Sequence, residues 1–181
     1  ITSCNNQDIC WVEGLLSTIY DVFLDQIVDG QIYTKGTGER DPSREHWTRL
    51  HELNLAQNAL LVFDRGYYSK ELYEDLVSDG CHVLMRLNKG NHLTRLGSDD
   101  FSWTAASADG KPVLYRIVRV PLPEQSNEEA EYLVTNITDP SISPALLYNL
   151  YFERWNIETK YRELKEWWEL EEFTGTSCNS I

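Results

Sequence analysis

Four apolar residues in a row, Leu60, Leu61, Val62 and Phe63, run straight into an aspartate, Asp64. A continuous apolar run of this length predicts a strand buried on both faces, since a strand with one wet face alternates apolar with polar. A carboxylate at the end of such a strand is unfavourable unless it is paired or holds a cation. Gly66 then offers a turn, and Leu72, Leu76 and Val77 recur at helical spacing. Two readings of Asp64 involve no chemistry: it caps the following helix, or it pairs with Arg65.

A second acid lies far downstream, in the stretch YNLYFERWNIETKYRELKEWW, which reads as one amphipathic helix. Steps of three, four and seven residues return near one azimuth, so Tyr151, Arg154, Glu158 and Lys165 share a stripe of roughly a sixth of the circumference. An apolar stripe of Leu146, Leu150, Ile157, Tyr161, Leu164 and Trp168 runs beside it, which sets the charged residues at the margin of a buried face. There an acid can hold a metal while flanking cations hold a polyanion. The plainer alternative is a set of i,i+4 ion pairs, Arg154 with Glu158 and Glu158 with Arg162, of the kind many solvated helices carry.

Tyr151, Arg154, Glu158 and Lys165 match in full the Tyr-Arg-Glu-Lys signature of bacterial insertion-sequence transposases of the DDE type, whose catalytic core is RNase H-like. VFDRGYYS resembles the block around that family's second catalytic aspartate, and STIYDVFLDQIVDGQI resembles the strand pair that precedes it. EYLVTNITD is similar to the strand leading towards the signature helix, and LEEFTGTS to the stretch just after it. The similarity covers nearly the whole chain in the right order.

The resemblance implies an α/β fold, an RNase H-like mixed sheet with flanking helices interrupted by a mostly β insertion. It implies that Asp64 and Glu158 are catalytic and together hold a pair of divalent cations. Oxygen ligands at a phosphodiester favour Mg²⁺, with Mn²⁺ as a substitute. Arg154 and Lys165 would contact DNA phosphates, and Tyr151 would pack against sugar or backbone. The parent enzyme would nick a transposon end, often through a hairpin intermediate, and join it to target DNA, working as a homodimer in a synaptic complex in the bacterial cytoplasm at the nucleoid. One departure stands out: the family's first acid belongs on an opening strand upstream of STIYDVFLDQIVDG. Asp8 lies in a polar, strandless stretch, and Asp21, Asp25 and Asp29 fall in what read as the second and third strands. The first acid is therefore expected to be missing from these 181 residues, and the fragment by itself to be inactive.

Two rivals remain. One is an inactivated transposase remnant that only binds DNA or a partner protein. The other is a hydrolase using Asp64 and Glu158 as an acid/base pair, which leaves Arg154 and Lys165 unexplained.

Composition limits the choice. With 41% hydrophobic and 12% aromatic residues the chain is globular. It has no apolar run near the roughly 20 residues that span a bilayer and no leader of the secretory kind, so a soluble intracellular protein without membrane contact is expected. Cys4, Cys10, Cys81 and Cys178 show no metal-binding spacing and read as reduced thiols. His46, His51, His82 and His92 read as ordinary surface or core histidines. The sequon at Asn136 and the Gly36-Thr37-Gly38 turn carry no function. A net charge of −13 opposes DNA binding, unless cations gather locally, as Arg154, Lys160, Arg162 and Lys165 do in sequence.

Along the chain, residues 1–87 read as the first part of the core, with its opening strand missing, 88–140 as a β-rich insertion and 141–181 as the core-completing helix. Asp41-Pro42 predicts a helix through about Leu53 with Trp47 and Leu50 inward. A second helix is predicted from Lys70 to Ser78, a strand at CHVLMRL and a hairpin at Asp109-Gly110.

Overall fold

The computed structural model describes residues 2–4, 10–12, 14–38, 40–96 and 98–168. Asp8 and the stretch 170–177 singled out above lie outside the described residues. In chain order the elements are β1 (Thr2–Cys4), β2 (Cys10–Val12), β3 (Gly14–Asp21), β4 (Gln26–Thr34), α1 (Arg40–Glu52), β5 (Leu60–Phe63), α2 (Lys70–Ser78), β6 (His82–Arg86), β7 (Asp100–Ala106), β8 (Pro112–Pro121), β9 (Ala130–Thr135), α3 (Pro144–Phe152) and α4 (Asn156–Trp168). Short 3-10 turns occupy His92–Arg95 and Glu153–Trp155. The chain forms two compact units, Trp47–Arg154 and Ile1–His46 with Trp155–Ile181.

Unit Trp47–Arg154 is built on a five-stranded mixed sheet of order β5-β6-β9-β8-β7, in which β5 and β6 run parallel and the other pairs antiparallel. With helices flanking the sheet, this mixed α/β architecture is consistent with the RNase H-like class. Period-2 alternation divides the side chains between its faces. On one face Leu84, Val118 and Leu133 meet Leu147 and Tyr151 of α3, with Leu60 and Val62 packed against them. On the other, α2 contributes Tyr73, whose ring stacks on Tyr115 at 4.7 Å, followed by Trp103 at 4.9 Å and Phe101 at 5.4 Å. That stack ties β7 to the sheet through aromatic area and ring geometry.

Local chemistry explains the element ends. The Ser69 hydroxyl accepts from the Leu72 amide and starts α2, and Ser143 does the same for Leu146 at the head of α3, where Pro144 fills the first turn. Gly110, at φ +82°, makes the β7–β8 turn. Asn136, the sequon residue, accepts from the Val83 amide and donates to the Cys81 carbonyl, so it extends the pairing of β6. Cys81 is buried, and burial pushes its thiol up to about 12, which suits an inert structural cysteine.

In the other unit, β3 and β4 form an antiparallel hairpin, with Asp21 at the end of β3, Asp25 in the turn and Asp29 on β4. Asp21 accepts from the amides of Phe23 and Leu24, both at 2.9 Å, which fixes the turn. From α4, Tyr161 and Thr18 share a hydrogen bond of 2.8 Å and Lys160 pairs with Asp25 at 3.1 Å. His46 bridges Asp29 on one ring nitrogen and Ser17, at 3.0 Å, on the other, and is therefore a satisfied core histidine.

Four expectations are corrected. The strand Leu60–Phe63 is not buried on both faces: Leu61 is 9% exposed and its neighbours are half-buried, because β5 is the outermost strand of its sheet among the described residues. Asp41, expected to cap α1, lies instead inside its first turn, one residue past the start at Arg40, although Trp47 and Leu50 are buried as predicted. The helix expected over 148–168 is two helices, α3 and α4, parted by the 3-10 turn. Residues in such a turn advance about 120° each, so an azimuth reckoned at about 100° does not carry from α3 into α4. The apolar stripe shifts as well: Leu146 is exposed, and α3 buries Leu147 and Tyr151 instead.

Leu133 is fully buried between α3 and the sheet. Leu133→Ala should lower stability by about 2–5 kcal/mol, read from the urea midpoint at unchanged m-value.

Candidate active site

The alternation that sorts the sheet's faces also gathers charge at one of its ends. Leu60 and Val62 point to the α3 face, and two residues on comes Asp64. Leu84 does so on β6, and two residues on comes Arg86; Leu133 does so on β9, and two residues before it stands Glu131. Because β5 and β6 are parallel and β9 antiparallel to β6, the three charged residues extend three apolar columns past the same end of the sheet.

Tyr151 reaches this end from the core. It is 2% exposed, and its hydroxyl donates to Asp64 Oδ1 at 2.8 Å. The Arg65 amide donates to the same oxygen at 2.7 Å, and an Arg154 terminal nitrogen lies 3.8 Å from Oδ2. The Arg154 guanidinium also sits 5.6 Å from the centre of the Tyr151 ring. Neither plain reading of Asp64 holds: α2 is capped by Ser69, and Arg65 meets Asp64 through its backbone while its side chain goes elsewhere.

Electrostatics follow from these contacts. Burial pushes the Asp64 carboxyl up, but the Arg65 amide, the Tyr151 hydroxyl and the charges of Arg154 and Arg86 outweigh it and hold Asp64 below its ordinary value. The Tyr151 phenol moves the other way, to about 12, through burial and the bond to Asp64. Asp64 is thus an ionised, half-exposed carboxylate with its geometry set from behind.

Further charges surround Asp64 that no local sequence pattern reveals. Glu128, on the loop between β8 and β9, receives the Arg65 guanidinium at 3.2–3.3 Å, Arg86 at 3.5 Å and Lys89 at 3.9 Å. Arg86 also pairs with Glu131 at 2.7 Å. Burial raises the Glu131 carboxyl against the pull of Arg86 and Arg65. Of the cations named from sequence, Lys160 is engaged by Glu163 at 2.7 Å and by Asp25.

Tyr151, Arg154 and Asp64 therefore meet within one unit, across 87 residues of chain between the tyrosine and the aspartate. Glu158, in the first turn of α4, and Lys165, in its last turn, are exposed and belong to the other unit. Seven residues apart on one helix, they share a face of α4.

Residues 5–180 match the transposase DDE domain. The chain belongs to that family. A relative from Escherichia coli (strain K12), transposase InsG for insertion sequence element IS4, is 28% identical over 124 residues, covering 60% of this chain and 27% of the relative. The DDE domain described here thus spans about a quarter of the length of that relative. No helix among its described residues is long and apolar enough to cross a membrane.

For a divalent metal, this DDE domain offers Asp64 as one oxygen donor of the right charge. Glu128 and Glu131 are held by arginines, and no group of three or more acidic, histidine or cysteine side chains among the described residues forms a metal cage. Asp64 fits one position of a shared coordination shell and does not make a site alone.

Because Asp64 titrates below its ordinary range, the stability it contributes is present above the unfolded carboxylate's pKa and is lost as pH falls through the folded pKa. Tyr151→Phe removes one donor, so the Asp64 titration should move up. The stability difference from the unmodified protein should be present at neutral pH and close as pH drops. Carboxyl-carbon NMR titration and melts across the acid range measure both.

Proposed function

We propose that this chain is the catalytic-core portion of a DNA transposase that cuts and joins transposon DNA by in-line displacement at phosphorus. The observation that carries the reading is the hydrogen bond from Tyr151 to Asp64: a signature residue on α3, with the Arg65 amide, helps to hold the strand-end acid in its ionised form. An acid/base hydrolase would favour a carboxyl raised towards neutrality, whereas an acid held low suits a ligand for a cation.

In this reading Asp64 and Glu158 are the metal-holding acids, with Mg²⁺ as the ion and Mn²⁺ as its substitute. The metal, when bound, supplies Lewis acidity that activates a water or 3′-hydroxyl and steadies the leaving oxygen. The chain's own residues do the rest. Tyr151 is a positioning residue, since its buried hydroxyl fixes the rotamer of Asp64. Arg154 lies beside Asp64 and donates to a phosphate near the scissile bond, where a guanidinium binds bidentately. Lys165 contributes a point charge from the face of α4 that carries Glu158. The partners are transposon ends and target DNA, bound by paired protomers in the bacterial cytoplasm.

The test uses the full-length parent protein and a labelled transposon-end duplex. Glu158→Gln should abolish Mg²⁺-dependent nicking with DNA affinity nearly intact. Arg154→Ala should instead weaken DNA binding and reduce its salt slope by about one. Nicking that survives Glu158→Gln removes the assignment of Glu158, and an unmodified protein that binds ends but never nicks favours the inactive remnant.

A further inference from the structure

We propose that Arg65 and Lys89 form a phosphate subsite next to Asp64, and that Glu128 on the β8–β9 loop occupies it as a stand-in for phosphate when no DNA is bound. This rests on the reading of the chain as a DNA-processing domain and adds a gate to it.

The geometry of the pairing is the first support. Both terminal nitrogens of Arg65 reach Glu128 Oε1, at 3.3 and 3.2 Å, and one also reaches Oε2 at 3.3 Å. A guanidinium engaging two carboxylate oxygens presents the same fork it offers to a phosphate. Lys89, at 3.9 Å, closes the other side as a point charge.

Position is the second. The subsite adjoins Asp64 directly, because the amide of Arg65 itself donates to that carboxylate. A phosphate bound there would lie beside the one that Asp64 serves.

Charge is the third. The end of the sheet assembles Arg65, Arg86 and Lys89 against Glu128 and Glu131, so cations outnumber acids within these described pairings although the chain carries −13. Arg86 is committed to Glu131 at 2.7 Å and is 16% exposed. Arg65 and Lys89 are more accessible, at 35% and 58% of their side-chain surface, and Glu128 at 22% covers them. Removing Glu128 from this set would leave three cations facing Glu131.

Glu128 is also well placed to leave. It sits on a loop, 122–129, whose backbone bonds are confined to Leu122 with Glu129 and Ser126 with Pro123 among those described. That loop carries Glu124 and Glu129 as well, which DNA phosphates would repel.

The test measures binding of this chain to a short duplex without metal, at several salt concentrations. Glu128→Gln should tighten binding by about fivefold and steepen the salt dependence by about one. Glu124→Gln removes the same charge from the same loop and should have a much smaller effect. The gain should vanish in the double variant Glu128→Gln with Arg65→Ala. Equal effects of Glu128→Gln and Glu124→Gln, or a gain that persists without Arg65, overturn the gate while leaving the DNA-binding reading intact. No DNA binding by any of these proteins overturns both. Hydrogen exchange on the unmodified chain gives a check that needs no variant: the 122–129 amides should exchange faster once DNA is bound, and slower exchange would show that the loop stays clamped, against the proposal.

Discussion

A single hydrogen bond from a buried tyrosine to a strand-end aspartate joins the core of this protein to its candidate active site. Tyr151 is held by the same packing that seats α3 on Leu84, Val118 and Leu133, so its hydroxyl arrives at Asp64 with little freedom left. Rotamer entropy that a solvent-exposed donor would lose on binding has already been lost in folding. Core packing thus helps set the position and ionisation of Asp64, alongside the Arg65 amide and the charges of Arg154 and Arg86. Loosening the α3 face would disturb the acid through Tyr151.

The balance of charge follows a similar logic. A strongly acidic chain is an unpromising binder of polyanions, but affinity depends on the local field. Here sheet order places β5, β6 and β9 side by side, and Arg65, Arg86 and Lys89 gather at their shared end around Glu128 and Glu131. The acid that most nearly cancels them, Glu128, is on a connecting loop. Core-anchored charge is thus fixed by the sheet, whereas much of the compensating charge sits on a connecting loop.

Much of the local structure was legible because it obeys short-range rules. Lys70–Ser78, the strand at His82–Arg86 and the turn at Asp109-Gly110 follow from apolar spacing and a residue pair suited to positive φ. The break at Glu153–Trp155 was not legible, since neither glycine nor proline marks it and the periodicity on both sides is helical. The edge position of β5 was hidden for a different reason: an apolar run records that a strand is apolar and does not record how many neighbours cover it.

Sequence alone determined that Asp64 ends a strand, that Tyr151 and Arg154 share a helical neighbourhood, and that a Tyr-Arg-Glu-Lys spacing is present, because each depends on residues within a turn or two of one another. Only the tertiary structure decided that Tyr151 donates to Asp64, and that Arg65, Arg86 and Lys89 converge on Glu128 and Glu131. Those contacts join positions that are distant along the chain, and nothing local encodes them. They come into being when parallel β5 and β6 and antiparallel β9 align their ends, since the order of strands in a sheet is set by the packing of the whole core.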